Sequence, residues 1–531
     1  MAVAHRFDVV VIGGGHNGLV TAGLLAKRGF KVCVLEKKSV VGGAAITEMP
    51  FGPDYKVTAL SYVVSLLPPT IVKELELERH GYKVFPQHGY FAPAADGTAL
   101  QLPADSKRRH AELSKFSKAD ADAMERWDAW LGSLAGVLGP LLSTVPPKVG
   151  SKAPGDLMEL ASLAWRLRGL NVQQVGDVTR LLTSSVADVL EDWFEHPRVR
   201  GVMAVSGVIG TWAGPRSPGT AYVMAHHKLG DIGQGAPSGA WGFPEGGMGA
   251  VTQAMRKACE ALGVVVKTEA PVDRVIVKAG RAVGVALTNG DEFDADTVVL
   301  TCHPQIAFLK LLERKHLPVE FAQSMERWKS RSGTVKVNVA VDRLPEFTAK
   351  KGFDPEVHGG TIVLAESLDE LEASFQDAVS GTAARKPFAD ICIPSVFDKT
   401  LAPEGKHVIS MFTQWVPSTW AKTPNDAELS AYADRVIARV EAVAPGFTSS
   451  ILHRQVIGPH EMERDYGLVG GNIFHGELSV SQLFHMRPAP GFADFRTPIR
   501  GLYQASSATH GGGGVTGIPA LQAVRAIIDD R

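Results

Sequence analysis

The chain has 531 residues, enough for two or three domains or one large interleaved pair, and its 45% apolar and 21% charged content is ordinary for a soluble globular protein. Its 55 basic and 56 acidic residues leave a net charge of −1, which gives no electrostatic reason to expect a nucleic-acid partner. Cys33, Cys259, Cys302 and Cys392 stand alone with no C-x-x-C, which removes support for a redox dithiol or zinc ribbon and suits a reducing compartment.

In chain order, residues 7–12 read as a buried parallel strand, apolar and β-branched. Gly13, Gly15 and Gly18 follow as G-x-G-x-x-G, with His16 and Asn17 between them. Residues 19–28 read as a helix closed by Gly29, and residues 30–35 as a second strand ended by Glu36. In that context the three glycines permit, in turn, a tight turn, close approach of backbone to a pyrophosphate, and close packing of helix on strand. The helix N-terminus offers free N–H groups to phosphate, and Glu36 offers an acceptor to ribose hydroxyls. A dinucleotide site is the reading.

Gly42–Gly43, with Ala44 and Ala45 behind them, mark a loop returning beside that nucleotide. Residues 9–26 are uncharged, but Gly13 to Gly15, His16 and Asn17 argue against a membrane span. Residues 129–147 are uncharged too, and Pro140, Pro146 and Pro147 break them into buried or interfacial helix and loop. The first strand begins so early that no signal or transit peptide is expected, which points to the cytoplasm.

Residues 55–67, apolar and aromatic, are expected deep in the nucleotide domain or along the cofactor. Residues 71–110 look irregular, and residues 111–200 mainly helical. The Trp and Leu of that helical part read as core, with an apolar substrate tunnel or a membrane-facing patch as the alternatives. Residues 199–212 are small and apolar enough to pack beside a ligand.

The nucleotide-domain pattern resumes at 241–302: a glycine-rich entry to a helix over 250–262, then strands over 264–267, 271–278, 282–288 and 296–301. Asn289–Gly290 is a hairpin turn signal. Residues 333–343 alternate like a half-buried strand, residues 389–394 and 407–413 look similar, and residues 426–443 are helical. A strand at 501–505, a glycine-rich turn at 510–517 and a helix at 518–528 follow. Gly512, Gly514 and Gly517 repeat the G-x-G-x-x-G spacing, and no second strand with an acid comes after them. This turn therefore reads as a second contact to the first nucleotide.

These features occur together and in order: the opening turn with Glu36, the glycine pair at 42–43, GGMG at 246–249 with PVDRVIV, and ATHGGGGVTG at 508–517. The set resembles the flavoprotein superfamily of phytoene desaturases and amine oxidases. Within it, GHNGLV at 15–20, GGAAITE at 42–48, KVNVAVDRLP at 336–345 and GGNIFHGELSVSQLF at 470–484 are similar to the branch of pyridine nucleotide-disulphide oxidoreductase domain-containing protein 2. The resemblance implies an α/β fold: a Rossmann-like, glutathione reductase-like FAD-binding domain, discontinuous in sequence, with an inserted α+β substrate domain. The FAD domain would be residues 1–75, 241–310 and 490–531, and the substrate domain residues 76–240 and 311–489.

It implies FAD held by Gly13, Gly15, His16, Asn17, Gly18, Glu36, Lys37, Gly42, Gly43, Ala44, Ala45, Val272, Ser506, Gly514, Val515 and Thr516. Relatives often carry Arg where Ala44 stands, and Pro where Gly511 follows His510. Backbone contacts to FAD survive such changes, while the details of substrate chemistry do not transfer.

Flavin chemistry at a carbon needs a shaped, dry pocket and sometimes a base. The candidates are His510, His475 and Arg487, with His226–His227, Glu477 and Gln482 behind them. Lys336 and Asn338 share one strand face and either approach the site or pair structurally. No metal-spaced cluster, G-x-S-x-G or Walker A motif is present.

The leading expectation is an FAD-dependent dehydrogenase, desaturase or oxidase that takes hydride from carbon of an apolar or amphipathic small molecule. A flavin-binding scaffold and a redox-neutral isomerase using reduced FAD are the alternatives. Oxygen, a quinone or a soluble carrier would accept the electrons. A quinone would bring peripheral membrane contact, and a homo-oligomer is open.

Overall fold

Strand His5–Ile12 lies at the heart of a seven-stranded sheet, where Val9, Val10 and Val11 are fully buried. It pairs in parallel with Val32–Leu35 on one edge and with Glu292–Leu300 on the other. Strand Val265–Lys267 extends the first edge. The hairpin of Val272–Lys278 and Arg281–Leu287 extends the second, antiparallel, through the turn signalled by Asn289–Gly290. Leu502–Gln504 pairs in parallel with the C-terminal half of Glu292–Leu300. The structure, a computed structural model, describes residues 5–148, 150–233 and 239–531.

Helices His16–Ala26, Met248–Ala261 and Ile518–Asp529 cover one face of this sheet, and Pro304–Leu309 and Val319–Glu326 the other. Because Ile12 stands level with Leu35 and Leu300, Gly13 leaves the sheet at the carboxyl ends of its parallel strands, where α/β sheets place their ligands. The first helix starts at His16, earlier than its apolar run suggests, since a helix N-terminus aimed at phosphate needs no hydrophobic face.

A second seven-stranded sheet runs in the order Ile451–Ile457, Thr334–Val341, His407–Gln414, Phe388–Cys392, Thr361–Leu364, Gly89–Pro93, Ala99–Pro103. Its last two strands fall inside the stretch expected to be irregular. Their five-residue length and embedded Gly89 and Pro93 hide the period of two in the sequence. On one face Val335, Val337, Val339, Ile409 and Met411 pack on helix Asp426–Val443. Burying each such side chain contributes roughly 2 kcal/mol. On the other face lie Thr334, Lys336, Ser410, Phe412 and Asp390.

Strand Thr334–Val341 is buried throughout, where half-burial was expected. Its polar alternates are sheltered by the rest of the molecule rather than by water. Helices Lys118–Ser143, Val186–Trp193 and Pro197–Val208 pack a core around Trp127 over this part of the fold, and Leu157, Leu160 and Trp165, expected in that core, lie exposed on helix Pro154–Leu167 outside it. Among the described residues, no helix is long and apolar enough to cross a membrane.

Candidate functional site

A cavity of about 330 Å³ runs from the glycine turn of the first sheet to the polar face of the second. The glycine end is shaped by backbone. Gly13 has φ +104°, and a Cβ on Gly18 would stand 2.0 Å from the Gly13 carbonyl oxygen. No side chain fits there, so the helix seats directly on the turn. Gly42 N–H donates to Gly14 O at 2.9 Å, and Gly43, at φ +62°, brings the second glycine pair against Gly15.

Glu36 is buried, and it accepts from Gly14 N–H (2.8 Å) at Oε2 and from Lys38 N–H (2.9 Å) at Oε1. Each oxygen keeps a lone pair for a hydroxyl in the cavity. The first helix has no side-chain cap, and His16 Nε2 and Asn17 Oδ1 beside its start are buried without a hydrogen-bond partner. Leaving such atoms unpaired costs roughly 1–3 kcal/mol each, a cost a bound polar ligand removes. Free helix N–H groups, a glycine cradle and a buried carboxylate fit a dinucleotide.

Of the residues assigned to the cofactor, Gly13, Gly15, His16, Asn17, Gly18, Glu36, Lys37, Gly42, Gly43, Ala44, Ala45, Val272, Gly514 and Val515 line the cavity together. Ser506 and Thr516 lie off its wall, because each serves the terminal turn. Ser506 Oγ accepts from Ala508 N–H at 3.1 Å. Thr516 Oγ1 donates to Gly511 O (2.9 Å) and accepts from Ile518 N–H (3.3 Å) at the start of the last helix. Ser507 does reach the wall and accepts from Asn17 Nδ2 at 3.2 Å, which ties the two glycine turns together.

The candidate catalytic residues divide. His510 is buried away from the cavity wall, where its Nε2 meets Leu141 O at 3.0 Å. Burial pushes its pKa down to about 4, so it is neutral. Arg487 is likewise off the wall. Its guanidinium donates to the carbonyls of Phe474 (2.8 Å), Ser507 (3.1 Å), Thr509 (3.2 Å) and Gln482 (3.3 Å), which uses its charge to pin the terminal turn to the 474–482 segment. Burial lowers it only to about 10, and it stays charged. Both side chains are engaged in holding backbone carbonyls rather than facing the cavity.

His475 does line the cavity, at φ +57°, with Nδ1 buried and without a partner. Burial, with Arg487 nearby, holds it down to about 4. His303 stacks on it at 5.9 Å, and His16 is pushed down to about 3 by burial and by His475. The group is a cluster of neutral imidazoles, suited to donating or accepting single hydrogen bonds.

His227 is on the wall with Nδ1 held by Val223 O at 2.9 Å. His226, Glu477 and Gln482 are not; Glu477 pairs with Arg331, and Gln482 with the backbone of Lys329. All four cysteines are free. Burial pushes Cys33, Cys259 and Cys302 up to about 12, far from the thiolate that redox exchange needs.

Across the cavity the second sheet supplies what the sequence hid. Lys336, Phe412 and Asp390 stand opposite one another on adjacent strands, forming one row. Lys336 is 1% exposed, donates to Ser410 Oγ, and holds its Nζ 4.0 Å from the centroid of the Tyr62 ring. Tyr62 Oη donates to Asp390 Oδ1 at 3.1 Å. Lys336, Tyr62 and Phe412 all line the cavity.

Burial pushes Lys336 down to about 7, with Cys392 and Asp390 partly opposing it. Burial raises Asp390 to about 6 and holds Tyr62 well above the ordinary phenol value. A lysine near neutrality in an enclosed pocket can take or give a proton. The only signal in the sequence was the polar alternation at 334, 336 and 338; Asn338 turns out to bond Gln455 Oε1 at 3.1 Å and lies off the cavity wall.

The sequence profile of the flavin-containing amine oxidoreductases matches residues 18–518. Rat pyridine nucleotide-disulfide oxidoreductase domain-containing protein 2 is 37% identical over 99% of this chain and 94% of its own length. A limonene dehydrogenase chain from Castellaniella defragrans is 25% identical over 100% of this chain and 96% of its own length. Among solved structures, cyclohexylamine oxidase from Brevibacterium oxydans shares the fold at a TM-score of 0.57 and 18% identity, covering 99% of each chain.

Proposed function

The chain belongs to the flavin-containing amine oxidoreductase family and is an FAD-dependent oxidoreductase, and on that premise we propose that it oxidises an amphipathic small molecule at a carbon bearing an O–H or N–H group. The observation that carries this reading is Lys336, a buried amine near neutrality on the cavity wall with a hydroxyl rather than a carboxylate as its partner. A plain hydrocarbon would need no such group, and desolvating a lysine without use is costly.

Bound FAD supplies the acceptor for a hydride. The turn at 13–18 and the backbone of Gly514 and Val515 would hold its polar parts, and Glu36 would accept from its hydroxyls. Tyr62, Phe412, Leu60 and Ile209 shape the apolar wall and keep water out. Neutral Lys336 receives the proton from O–H or N–H as the C–H hydride departs, so the substrate leaves as a carbonyl or imine. Ser410 orients the amine, and Asp390, held by Tyr62, favours the ammonium that results. The neutral imidazole of His475 offers a hydrogen bond to the substrate heteroatom.

The names of the relatives agree with an apolar pocket, one naming limonene and another cyclohexylamine, and the second of these carries an N–H on its substituted carbon. Anaerobic mixing of the FAD-loaded protein with matched alcohols, amines, acyl compounds and polyenes tests the reading. Bleaching of the visible flavin bands by alcohols or amines with an apolar tail supports it. Bleaching by polyenes alone, or by none of the panel, overturns it.

A further inference from the structure

Helix Pro154–Leu167 carries most of its apolar surface outward. None of its residues is buried, and the sheltered face pairs Leu163 and Leu167 with Asp156 and Glu159, the Glu159 carboxyl being raised by that partial burial. The face turned to solvent carries Leu157, Met158, Leu160 and Trp165, from 45% to 72% exposed. The next helix, Val172–Thr183, continues the surface with Val172 and Val175. The longer helix Lys118–Ser143 does the opposite: its Trp127, Leu131, Leu134 and Leu138 are all buried. Of the nine tryptophans, Trp165 alone is exposed.

Charge is sorted across the same surface. Asp156, Glu159 and Asp177 are half-buried, while Lys152, Arg166 and Arg168 are exposed; Arg180, exposed as well, pairs with Asp192. Arg168 lies over the Trp165 ring, 3.3 Å from its centroid. An apolar stripe with an aromatic ring, edged by arginines and with its acids turned away, is the arrangement that seats a helix in the plane of a lipid interface. The basic rim matches anionic headgroups, whose negative surface potential draws in lysines and arginines within a Debye length.

From this we infer that the surface formed by Pro154–Leu167 and Val172–Thr183 docks the protein on an anionic bilayer. It binds as a peripheral face, with Leu157, Met158, Leu160 and Trp165 entering the headgroup–acyl boundary and Arg166 and Arg168 meeting lipid phosphate. This places an enzyme for amphipathic substrates where such molecules partition.

Flotation of the purified full chain, loaded with FAD, tests the inference on two vesicle types: phosphatidylcholine alone, and phosphatidylcholine with phosphatidylglycerol. The expected result is flotation with the anionic vesicles, weakened by salt. Binding should fall roughly tenfold or more in a Leu157→Ser/Met158→Ser/Trp165→Ser variant, and also in Arg166→Glu/Arg168→Glu. These side chains lie in solvent, and an unchanged flavin spectrum confirms that both variants fold.

Four outcomes overturn the inference: no flotation of the parent chain, equal flotation on neutral vesicles, full flotation of the triple variant, and parent dimers in sedimentation velocity that the triple variant abolishes. The last would assign the face to a second copy of the chain.

Discussion

The two ends of the cavity are built on opposite plans. At the glycine end, Gly13, Gly15, Gly18, Gly42 and Gly43 withdraw side chains and leave backbone on the cavity wall, beside one buried carboxylate, Glu36. At the sheet end, Lys336, Tyr62, Phe412 and Asp390 come from four separate stretches and meet only because three adjacent strands set three of them in one row, under the Tyr62 ring. One end is specified by what is missing from consecutive residues. The other is specified by strand register. The first therefore tolerates little change in shape, and the second little change in chemistry.

The contrast breaks most completely at Gly18. A Gly18→Ala substitution places Cβ 2.0 Å from the Gly13 carbonyl oxygen, so the turn must move. Overpacking of this kind costs about 3 kcal/mol. The expected protein carries no FAD absorbance, even after reconstitution, and melts earlier.

The sheet end responds in rate and not in cofactor content. Lys336→Met should keep its FAD, while the anaerobic rate of flavin bleaching by substrate falls about 10²–10⁴-fold. In the parent chain that rate should rise with pH through about 7, because the neutral amine is the form that accepts a proton. The variant should lose this limb. A limb that survives in Lys336→Met assigns the titration to another group.

A smaller effect belongs to Asp390. Its negative charge raises the pKa of Lys336, so Asp390→Asn should move the limb to lower pH and leave the plateau rate close to the parent's. A limb displaced to higher pH would contradict the row as drawn. The smallest effect is expected at His510. His510→Gln loses the bond to Leu141 O and about 1 kcal/mol of stability, with the bleaching rate and its pH limb unchanged.

The same contrast explains what could be read from the chain beforehand. The strand–turn–helix–strand of residues 7–36 was legible because every residue that matters is a near neighbour, and Gly29 and Gly290 do sit at positive φ where the turns were expected. Helix Asp426–Val443 was legible from its period. The strands Gly89–Pro93 and Ala99–Pro103 were not, being short and joined to the rest of their sheet through a strand hundreds of residues away.

At the site, the glycines that line the nucleotide end of the cavity were legible from their motif, whereas Ser506 and Thr516 lie off its wall because their side chains serve the turn itself. His510 and Arg487 stood out as polar residues beside a glycine turn, yet burial and carbonyl partners occupy them. Asp390 sits in an apolar run, and nothing local distinguishes it from a solvated edge residue. Only its register with Phe412 brings it behind the pocket.

The strand Leu502–Gln504 and the turn that carries Gly514 and Val515 follow nearly everything else in the chain, yet the strand pairs with Glu292–Leu300 and the segment ties through Ser507 to Asn17. The pocket is therefore a long-range closure: its first wall is complete within residues 13–18, but Ser507, Gly514 and Val515 come from a segment nearly five hundred residues further along the chain. Folding of the local motif and enclosure of its pocket are separate events, and only the second reports that the distant parts of the chain have met.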